Sequence, residues 1–152
     1  MCGVCQVIEK TKRGENPYFV RELETGYVVI GDNQHFYGYS LFLCKQCVSE
    51  LFELERDFLT KHLLEMTLVA NAVKNAFHAE KINYECLGNG YSHVHWHLFP
   101  RAAGDMDKKG PVWWLPPEKM WNDDNRPSEQ ELAKMKAALA AEIEKLLAEQ
   151  SL

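Results

Sequence analysis

Hydrophobic and polar positions along the chain follow the periods of strands and helices in turn. Aromatic and β-branched residues fill 17–22 and 27–31 on either side of a Glu-Thr-Gly turn, which predicts a β-hairpin. Over residues 57–78, apolar side chains recur every three or four positions, as in an amphipathic helix. Residues 82–87 predict a further strand, which a Gly-Asn-Gly turn ends.

The stretch from Ser92 to Arg101 alternates histidine with bulky apolar residues, which predicts a strand with two unlike faces. His93, His95 and His97 project from one face, while the apolar residues between them point into the core. Same-face neighbours lie roughly 6–7 Å apart, so the row can serve a metal, a phosphate, or each in turn. Three imidazoles cost β-propensity and desolvation with no structural return, and we interpret them as functional.

Two further histidines, His62 and His78, fall within the predicted helix, and we interpret them as ordinary helix residues. Downstream of the histidine row come Trp113-Trp114 and Trp121. Because exposed tryptophans are uncommon in monomers, we expect this cluster to cap the core in preference to lining an interface or a base pocket.

A capping box, Ser128-x-x-Glu131, predicts the start of a final helix. Its apolar residues fall on one side, which should dock on this protomer or on a partner: Leu132, Met135, Leu139, Ile143 and Leu146.

The composition is that of one globular domain over 1–152, with 46% hydrophobic and 26% charged residues. Within it, 1–101 would form the core, and 102–152 the Trp-rich loop and last helix. The chain shows no apolar run of bilayer length and no signal-type segment, so we expect a cytoplasmic protein without membrane contact. A formal charge of −5 argues against nucleic-acid binding but allows a small nucleotide.

Five cysteines include two Cys-x-x-Cys pairs, Cys2/Cys5 and Cys44/Cys47, which in a reducing compartment favour a metal over disulfides. From spacing alone the four read as a four-cysteine zinc site, although the gap between pairs is longer than in a compact zinc ribbon. Alternatively, Cys44 is a small buried apolar residue. Cys86, in the strand before the histidines, is expected to be a buried free thiol.

The histidine row resembles the signature of the histidine triad (HIT) nucleotide-binding and hydrolase family, here His93 to Phe99. Residues 38–47 resemble the family's earlier Gly-His-Thr-Leu-Val-Ile-Pro-Lys-x-His strand, with Tyr39 and Cys47 replacing its two histidines. The segment 2–5 resembles the cysteine pair of the zinc-containing branch. Together these motifs cover about the first two thirds of the chain.

The resemblance implies an α+β fold, with an antiparallel sheet, a crossover helix and a C-terminal helix. It also implies a homodimer and a structural zinc, whose ligands would be Cys2, Cys5, Cys47 and His93. Cys44 then stands where the family commonly has proline, so the two ligand sets differ in the role of this residue.

The activity that the resemblance implies is hydrolysis or transfer of a nucleotidyl group at the α-phosphate of dinucleoside polyphosphates or nucleoside phosphoramidates. His95, the middle of the row, is the predicted nucleophile and forms a covalent nucleotidyl-histidine, because neutral imidazole attacks without a metal. His97 would bind the phosphate oxygens with Ser92 and the backbone of Gly88–Gly90.

Three more residues are candidate substrate contacts. Asp32 or Asn33 follows the second strand, where the family's acidic or amide residue contacts ribose hydroxyls, and Asn89 adds a donor to the glycine turn. One rival hypothesis is a zinc-stapled nucleotide-binding module without turnover. Another is a metallohydrolase in which the three histidines share a metal, although no acidic residue lies beside them to complete that site.

Overall fold

The computed structural model describes residues 1–150 and contains nine principal helices and strands. In chain order these elements are α1 (Gly3–Lys12), β1 (Phe19–Glu22), β2 (Gly26–Ile30), β3 (Ser40–Cys44), α2 (Arg56–Ala76), β4 (Lys81–Glu85), β5 (His95–Arg101), α3 (Pro117–Met120) and α4 (Glu129–Gln150). Short 3₁₀ turns occur at Leu51–Glu53, Val112–Trp114 and Asp123–Asn125. Among residues 1–150, no helix is both long and apolar enough to cross a membrane.

The five strands form one sheet in the order β1-β2-β3-β5-β4, and every neighbouring pair is antiparallel. Helix α2 connects β3 to β4, which lie on either side of β5, so it is a crossover. The predicted α+β architecture, with its antiparallel sheet, crossover helix and C-terminal helix, is confirmed.

The two faces of the sheet differ, as the alternation in β5 predicts. Phe42 of β3 pairs with Trp96 of β5, and both side chains lie in the core under α2 and α4. The next pair along the register, Leu43 and His95, lies on the opposite face, where α1 packs. The histidine row therefore faces away from the main core.

The tryptophans do not cap the core, so that expectation is wrong. The side chains of Trp113, Trp114 and Trp121 are 70%, 57% and 64% exposed. Smaller apolar residues of the same segment fill a cluster against the sheet in their place, namely Val112, Leu115 and Met120, packed with Phe36, Tyr39 and Phe99.

The interpretation of His62 as an ordinary helix residue is also wrong. Its ring is fully buried, with Nδ1 2.9 Å from the Thr25 hydroxyl and Nε2 accepting a hydrogen bond from the Trp96 indole N–H at 3.2 Å. The Thr25 hydroxyl in turn donates to the Glu65 carboxylate. Because burial disfavours the imidazolium, the pKa of His62 falls to about 4.

Three smaller differences concern the ends of elements. Strand β4 stops at Glu85, so Cys86 lies on the following loop and is exposed, contrary to prediction. Ser128 accepts a hydrogen bond from the Glu131 N–H at 3.1 Å, but the Glu131 carboxylate bonds to Tyr37 and does not complete the reciprocal half of the capping box. The first cysteine pair lies at the start of a helix of ten residues, which the sequence did not predict.

Candidate metal centre and active site

Four side chains from distant parts of the chain converge at the start of α1. The sulfur atoms of Cys2, Cys5 and Cys47 and a ring nitrogen of His93 lie within 4.8 Å of one another. Cys2 Sγ is 3.8 Å from Cys47 Sγ and 3.4 Å from His93 Nδ1, and Cys5 Sγ is 3.5 Å from the same nitrogen. A tetrahedral zinc ion would set sulfur atoms about 3.8 Å apart and sulfur and nitrogen about 3.6 Å apart. The cluster therefore fits one zinc ion.

The start of α1 explains how the cysteine pair is placed. Cys2 is the N-cap residue, and its sulfur accepts a hydrogen bond from the Cys5 N–H at 3.2 Å. Helix N-termini favour anions, so this position suits thiolates. Gly3 between the cysteines lies under the Tyr91 ring, where an added Cβ would come within 2.4 Å of a ring carbon. Without a Cβ at this position, the Tyr91 ring packs directly on the start of α1.

His93 is oriented by a backbone group. Its Nε2–H donates to the Cys44 carbonyl at 2.7 Å, which leaves the Nδ1 lone pair facing the sulfur atoms. The Cys44 side chain itself is fully buried beside Leu54 and Val94, and burial raises its pKa. Cys44 thus lies outside the cluster, which agrees with the alternative of a small buried residue. Only its carbonyl takes part, by accepting the hydrogen bond from His93.

His95 has its partners fixed by the chain around it. Its Nδ1 lies 2.7 Å from the His93 carbonyl oxygen, which can only accept, so Nδ1 carries the proton. The opposite nitrogen, Nε2, therefore holds a lone pair. The side chain is 9% exposed and lines two cavities.

His97 has a phenol as its partner. The Tyr39 oxygen is 2.6 Å from His97 Nδ1, and Tyr39 occupies the position where the family commonly has histidine. Burial, with the nearby His95 adding to it, lowers the pKa of His97 to about 4. Burial raises the pKa of Tyr39, as do the charges of Asp32 and Glu85. Both groups are therefore neutral near pH 7, and the phenol can donate to Nδ1.

The larger of the two cavities, about 390 Å³, lies between α1 and the row. His95 and His97 form one part of its lining, with Asp32 and Trp121 in other parts. The remaining lining is mostly apolar or aromatic, and consists of Gly3, Val4, Val7, Asn16, Tyr18, Val29, Ile30, Tyr39, Leu41, Leu43 and Tyr91.

The smaller cavity, about 310 Å³, also reaches His95. It lies between the turn after β3 and the loop after β4, and its residues are Ser49, Glu50, Leu51, Phe52, Cys86, Leu87, Gly88, Ser92, Val94 and His95. Gly88 holds the loop in a left-handed conformation, with φ of 70°. The Ser49 hydroxyl donates to the Ser92 hydroxyl at 3.2 Å.

The other predicted substrate contacts lie elsewhere. Asn33 is buried, where its amide donates to the Asn122 carbonyl at 3.4 Å and its oxygen accepts from the His35 N–H at 3.3 Å. Asn89 is exposed and lines neither cavity. The structure therefore brings Asp32 and Ser92 to the histidines and places Asn33 and Asn89 outside the two cavities.

Trp121 lines the larger cavity, whereas the sequence favoured core capping for the cluster to which it belongs. The segment that carries it is tied to the loop after β2, where Gln34 N–H donates to the Asn125 carbonyl at 2.9 Å and Arg126 pairs with Asp32 at 3.3 Å. The signal in the sequence was the cluster of three tryptophans, for which a base pocket was one alternative to core capping.

The three histidines do not converge on one point, contrary to the metallohydrolase hypothesis. Within residues 1–150, the cluster at Cys2 is the only group of three or more His, Cys, Asp or Glu side chains placed to share a metal, and it takes His93 alone from the row. His95 and His97 turn their Nδ1 atoms to a carbonyl and a phenol.

The fold and the chain have recognisable relatives. The fold is similar to that of a histidine triad protein from Sinorhizobium meliloti 1021, at 24% identity and a TM-score of 0.72, over 88% of this chain and 93% of that one. A Zn-bound histidine triad family protein from Mycobacterium smegmatis is 19% identical, with a TM-score of 0.60 and coverage of 91% and 96%. Diadenosine triphosphate hydrolase of Plasmodium falciparum, in complex with cyclomarin A, is 12% identical, with a TM-score of 0.61 and coverage of 85% and 78%.

No curated protein sequence matches the chain. The model of the HIT domain, however, matches residues 15–104, well over half of the chain, and the match contains the whole histidine row. On this evidence the chain belongs to the HIT domain family.

Proposed function

We propose that this protein is a nucleotide hydrolase or nucleotidyl transferase that acts at an α-phosphate through a covalent nucleotidyl-histidine. The observation that carries the proposal is the tautomer of His95, whose Nδ1–H is committed to the His93 carbonyl at 2.7 Å. Its Nε2 lone pair is thereby available beside two cavities. Its substrates would be dinucleoside polyphosphates or nucleoside phosphoramidates.

In the proposed reaction, His95 Nε2 attacks the α-phosphorus, and water then hydrolyses the phosphorus–nitrogen bond of the adduct. His97 receives the Tyr39 O–H on Nδ1 and so presents Nε2–H to a phosphate oxygen. Ser92 and the backbone of Gly88–Gly90 supply further donors as charge develops on phosphate. A low pKa keeps His97 neutral, so it acts as a hydrogen-bond donor and not as a cation.

The larger cavity is the proposed nucleoside site. Its apolar lining suits a base, and Trp121 offers a wide aromatic surface for stacking. Asp32 would accept hydrogen bonds from ribose hydroxyls, since its ion pair with Arg126 is half-exposed and exchanges readily. Asn33 would hold the loop that carries Asp32, whereas Asn89 lies outside both cavities and has no part in the proposed site.

A zinc ion held by Cys2, Cys5, Cys47 and His93 would supply structural cross-linking. It would join the start of α1 to the loop before β5 and so fix the position from which His95 projects. The fit of the donor spacing to a tetrahedral ion supports this role.

The test is incubation with diadenosine triphosphate and, separately, with an adenosine 5′-phosphoramidate, each labelled at the α-phosphate, followed by alkaline denaturation and a search for protein labelled by either compound. Wild-type protein should form the adduct, and His95→Asn should form none and lose turnover on the order of 10³-fold or more. His95→Asn should retain zinc and fold, whereas His93→Asn should lose both metal and stability. Near-normal turnover by His95→Asn would exclude the covalent mechanism, and nucleotide binding by the wild type without any turnover would favour the binding-module alternative.

A further inference from the structure

A nucleotidyl substrate carries two groups on its α-phosphorus, the nucleoside and the leaving group. His95 lies where two cavities meet, and the larger one has the features of a nucleoside site. The smaller cavity then remains for the leaving group. This inference rests on the proposed function and concerns the chemistry of that second group.

The lining of the smaller cavity combines one negative charge with apolar surface. Glu50 is the one acidic residue that the described chain contributes to the lining. Burial, and after it the charge of Glu50, raises the pKa of the Cys86 thiol in the same lining. Phe52 and Leu87 are large apolar side chains, 81% and 58% exposed. Among the described residues, ten line this cavity, and none of the ten is a lysine or an arginine. Among the ion pairs of residues 1–150, none includes Glu50.

One acidic residue and no lysine or arginine in the described lining disfavour a polyphosphate leaving group. Such a group bears at least two negative charges, and proteins that bind it supply lysine, arginine or a metal ion. Here the leaving group would meet the Glu50 carboxylate, in a protein whose formal charge is −5. A cation on a short apolar stem would instead pair with Glu50 and cover Phe52 and Leu87.

We propose that the smaller cavity is a leaving-group site for amines that carry a second, cationic amine on an apolar stem, and that Glu50 selects them. The corresponding substrates are nucleoside 5′-phosphoramidates of diamine-like compounds. The Ser49 and Ser92 hydroxyls, 3.2 Å apart, lie in the same cavity and offer hydrogen bonds to the amide nitrogen and the phosphate.

The reaction balances with water as the only co-reactant. The P–N bond breaks with its electron pair on nitrogen as the bond from phosphorus to His95 Nε2 forms, and water later breaks the latter bond. Over both steps, water gives its oxygen to phosphorus and its two hydrogens to the departing nitrogen. The products are a nucleoside monophosphate dianion and an ammonium ion, whose new charge also favours a site beside Glu50.

The experiment compares three adenosine 5′-phosphate substrates with the full-length protein. These are the phosphoramidate of 1,4-diaminobutane, the neutral phosphoramidate of pentylamine, and diadenosine triphosphate. We expect the wild type to have the highest kcat/KM on the diamine conjugate. Glu50→Gln should lower the ratio of kcat/KM for the diamine over the pentylamine conjugate by up to about fivefold, the range of one exposed charge contact.

Glu53→Gln is the matched control, because Glu53 is an exposed acid at the end of the 3₁₀ turn whose N-cap residue is Glu50, and it does not line the cavity. It should leave the diamine-to-pentylamine ratio at its wild-type value. A preference of the wild type for diadenosine triphosphate, or equal ratios for the wild type and Glu50→Gln, would overturn the inference while leaving the proposed function intact.

A binding measurement tests the role of Glu50 independently of any turnover, and so independently of the proposed function. In a His95→Asn background, which removes the nucleophile, calorimetry should give tighter binding of the diamine conjugate than of the pentylamine conjugate, and adding Glu50→Gln should remove the difference. This readout applies even if the wild type hydrolyses none of the three compounds. Equal affinities in the His95→Asn background would reject Glu50 as the selecting residue.

Discussion

The three histidines of the row have the same side chain but different hydrogen-bond partners, and the partners separate their chemistry. His93 turns Nδ1 to sulfur atoms, His95 keeps Nε2 free, and His97 has a phenol on Nδ1. In two of the three cases the partner is a backbone carbonyl, which can only accept. Tautomers are thus set by the fold, and no charged partner is required to orient these rings.

At this same scale, buried His62 predicts a pH dependence of stability. The unfolded chain takes up a proton at about pH 6.5, whereas in the folded protein the pKa of His62 is about 4. Between these values the unfolded state binds more protons, so the free energy of unfolding falls as the pH is lowered from 6.5 to 4. Full protonation of this one group would cost up to about 3 kcal/mol.

Urea unfolding at several pH values checks the expectation with His62→Gln, whose amide can still accept from the Trp96 indole. The variant should be less stable at pH 7 but lose less stability than the wild type between pH 6.5 and 4. His78→Asn is the control, since His78 is exposed and in a left-handed conformation that asparagine tolerates. A His62→Gln curve parallel to that of the wild type would mean that His62 does not titrate as proposed.

At the scale of elements, α1 is held in place by two sets of contacts, its packing on the sheet and the cysteine cluster at its first turn. The helix is ten residues long, too short to be stable alone in water. Val4 and Ile8 pack it on the sheet, and the cysteine cluster joins its first turn to Cys47 and His93. The same turn forms part of the larger cavity, so the proposed zinc site and the proposed nucleoside site share this helix.

We therefore predict about one zinc ion per chain and a dependence on Cys47 that Cys44 does not share. Cys47→Ser should lose the metal and lower the melting temperature, because a ligand is removed. Cys44→Ser should retain zinc and lose only about 1–2 kcal/mol of stability, from burying a hydroxyl. Metal analysis with thermal unfolding measures both. Equal metal loss in the two variants would instead support the four-cysteine site.

At the scale of the whole molecule, the exposed Trp113-Trp114 pair, or the C-terminal helix, is the proposed contact region of a homodimer. Contiguous exposed aromatics mark association surfaces more often than free surface. Light scattering at micromolar concentration should give about 35 kDa, twice the 17.6 kDa of the chain.

Replacing both tryptophans with serine should shift the dimer toward monomer. Phe52→Ser is the control, because Phe52 is 81% exposed in a different region and should leave the mass unchanged. A wild-type mass of one chain would remove the dimer proposal, and a stable dimer without the two tryptophans would transfer the contact to the C-terminal helix.

The sequence determined most of the strands, the two long helices and the chemistry of the histidine row, because these depend on local periodicity. Alternation in β5 separated histidines from core, and the same rule places Cys44 on the face of Phe42, since the two are two residues apart in β3. With the bounds of β3 known, this alternation accounts for the burial of Cys44, which the spacing of the cysteines alone left open. The sequence did not determine α1, whose packing depends on a distant sheet.

Only the tertiary structure decided which distant residues meet. Cys2 and His93 are 91 positions apart, and their contact depends on strand order, register and the placement of α1 together. The burial of His62 and the position of Trp121 beside the histidines have the same origin, because helix period gives a face but not the groups opposite it. The charge of each cavity is likewise decided by loops from separate elements, and this is why the proposed leaving-group site around Glu50 was not visible in the sequence.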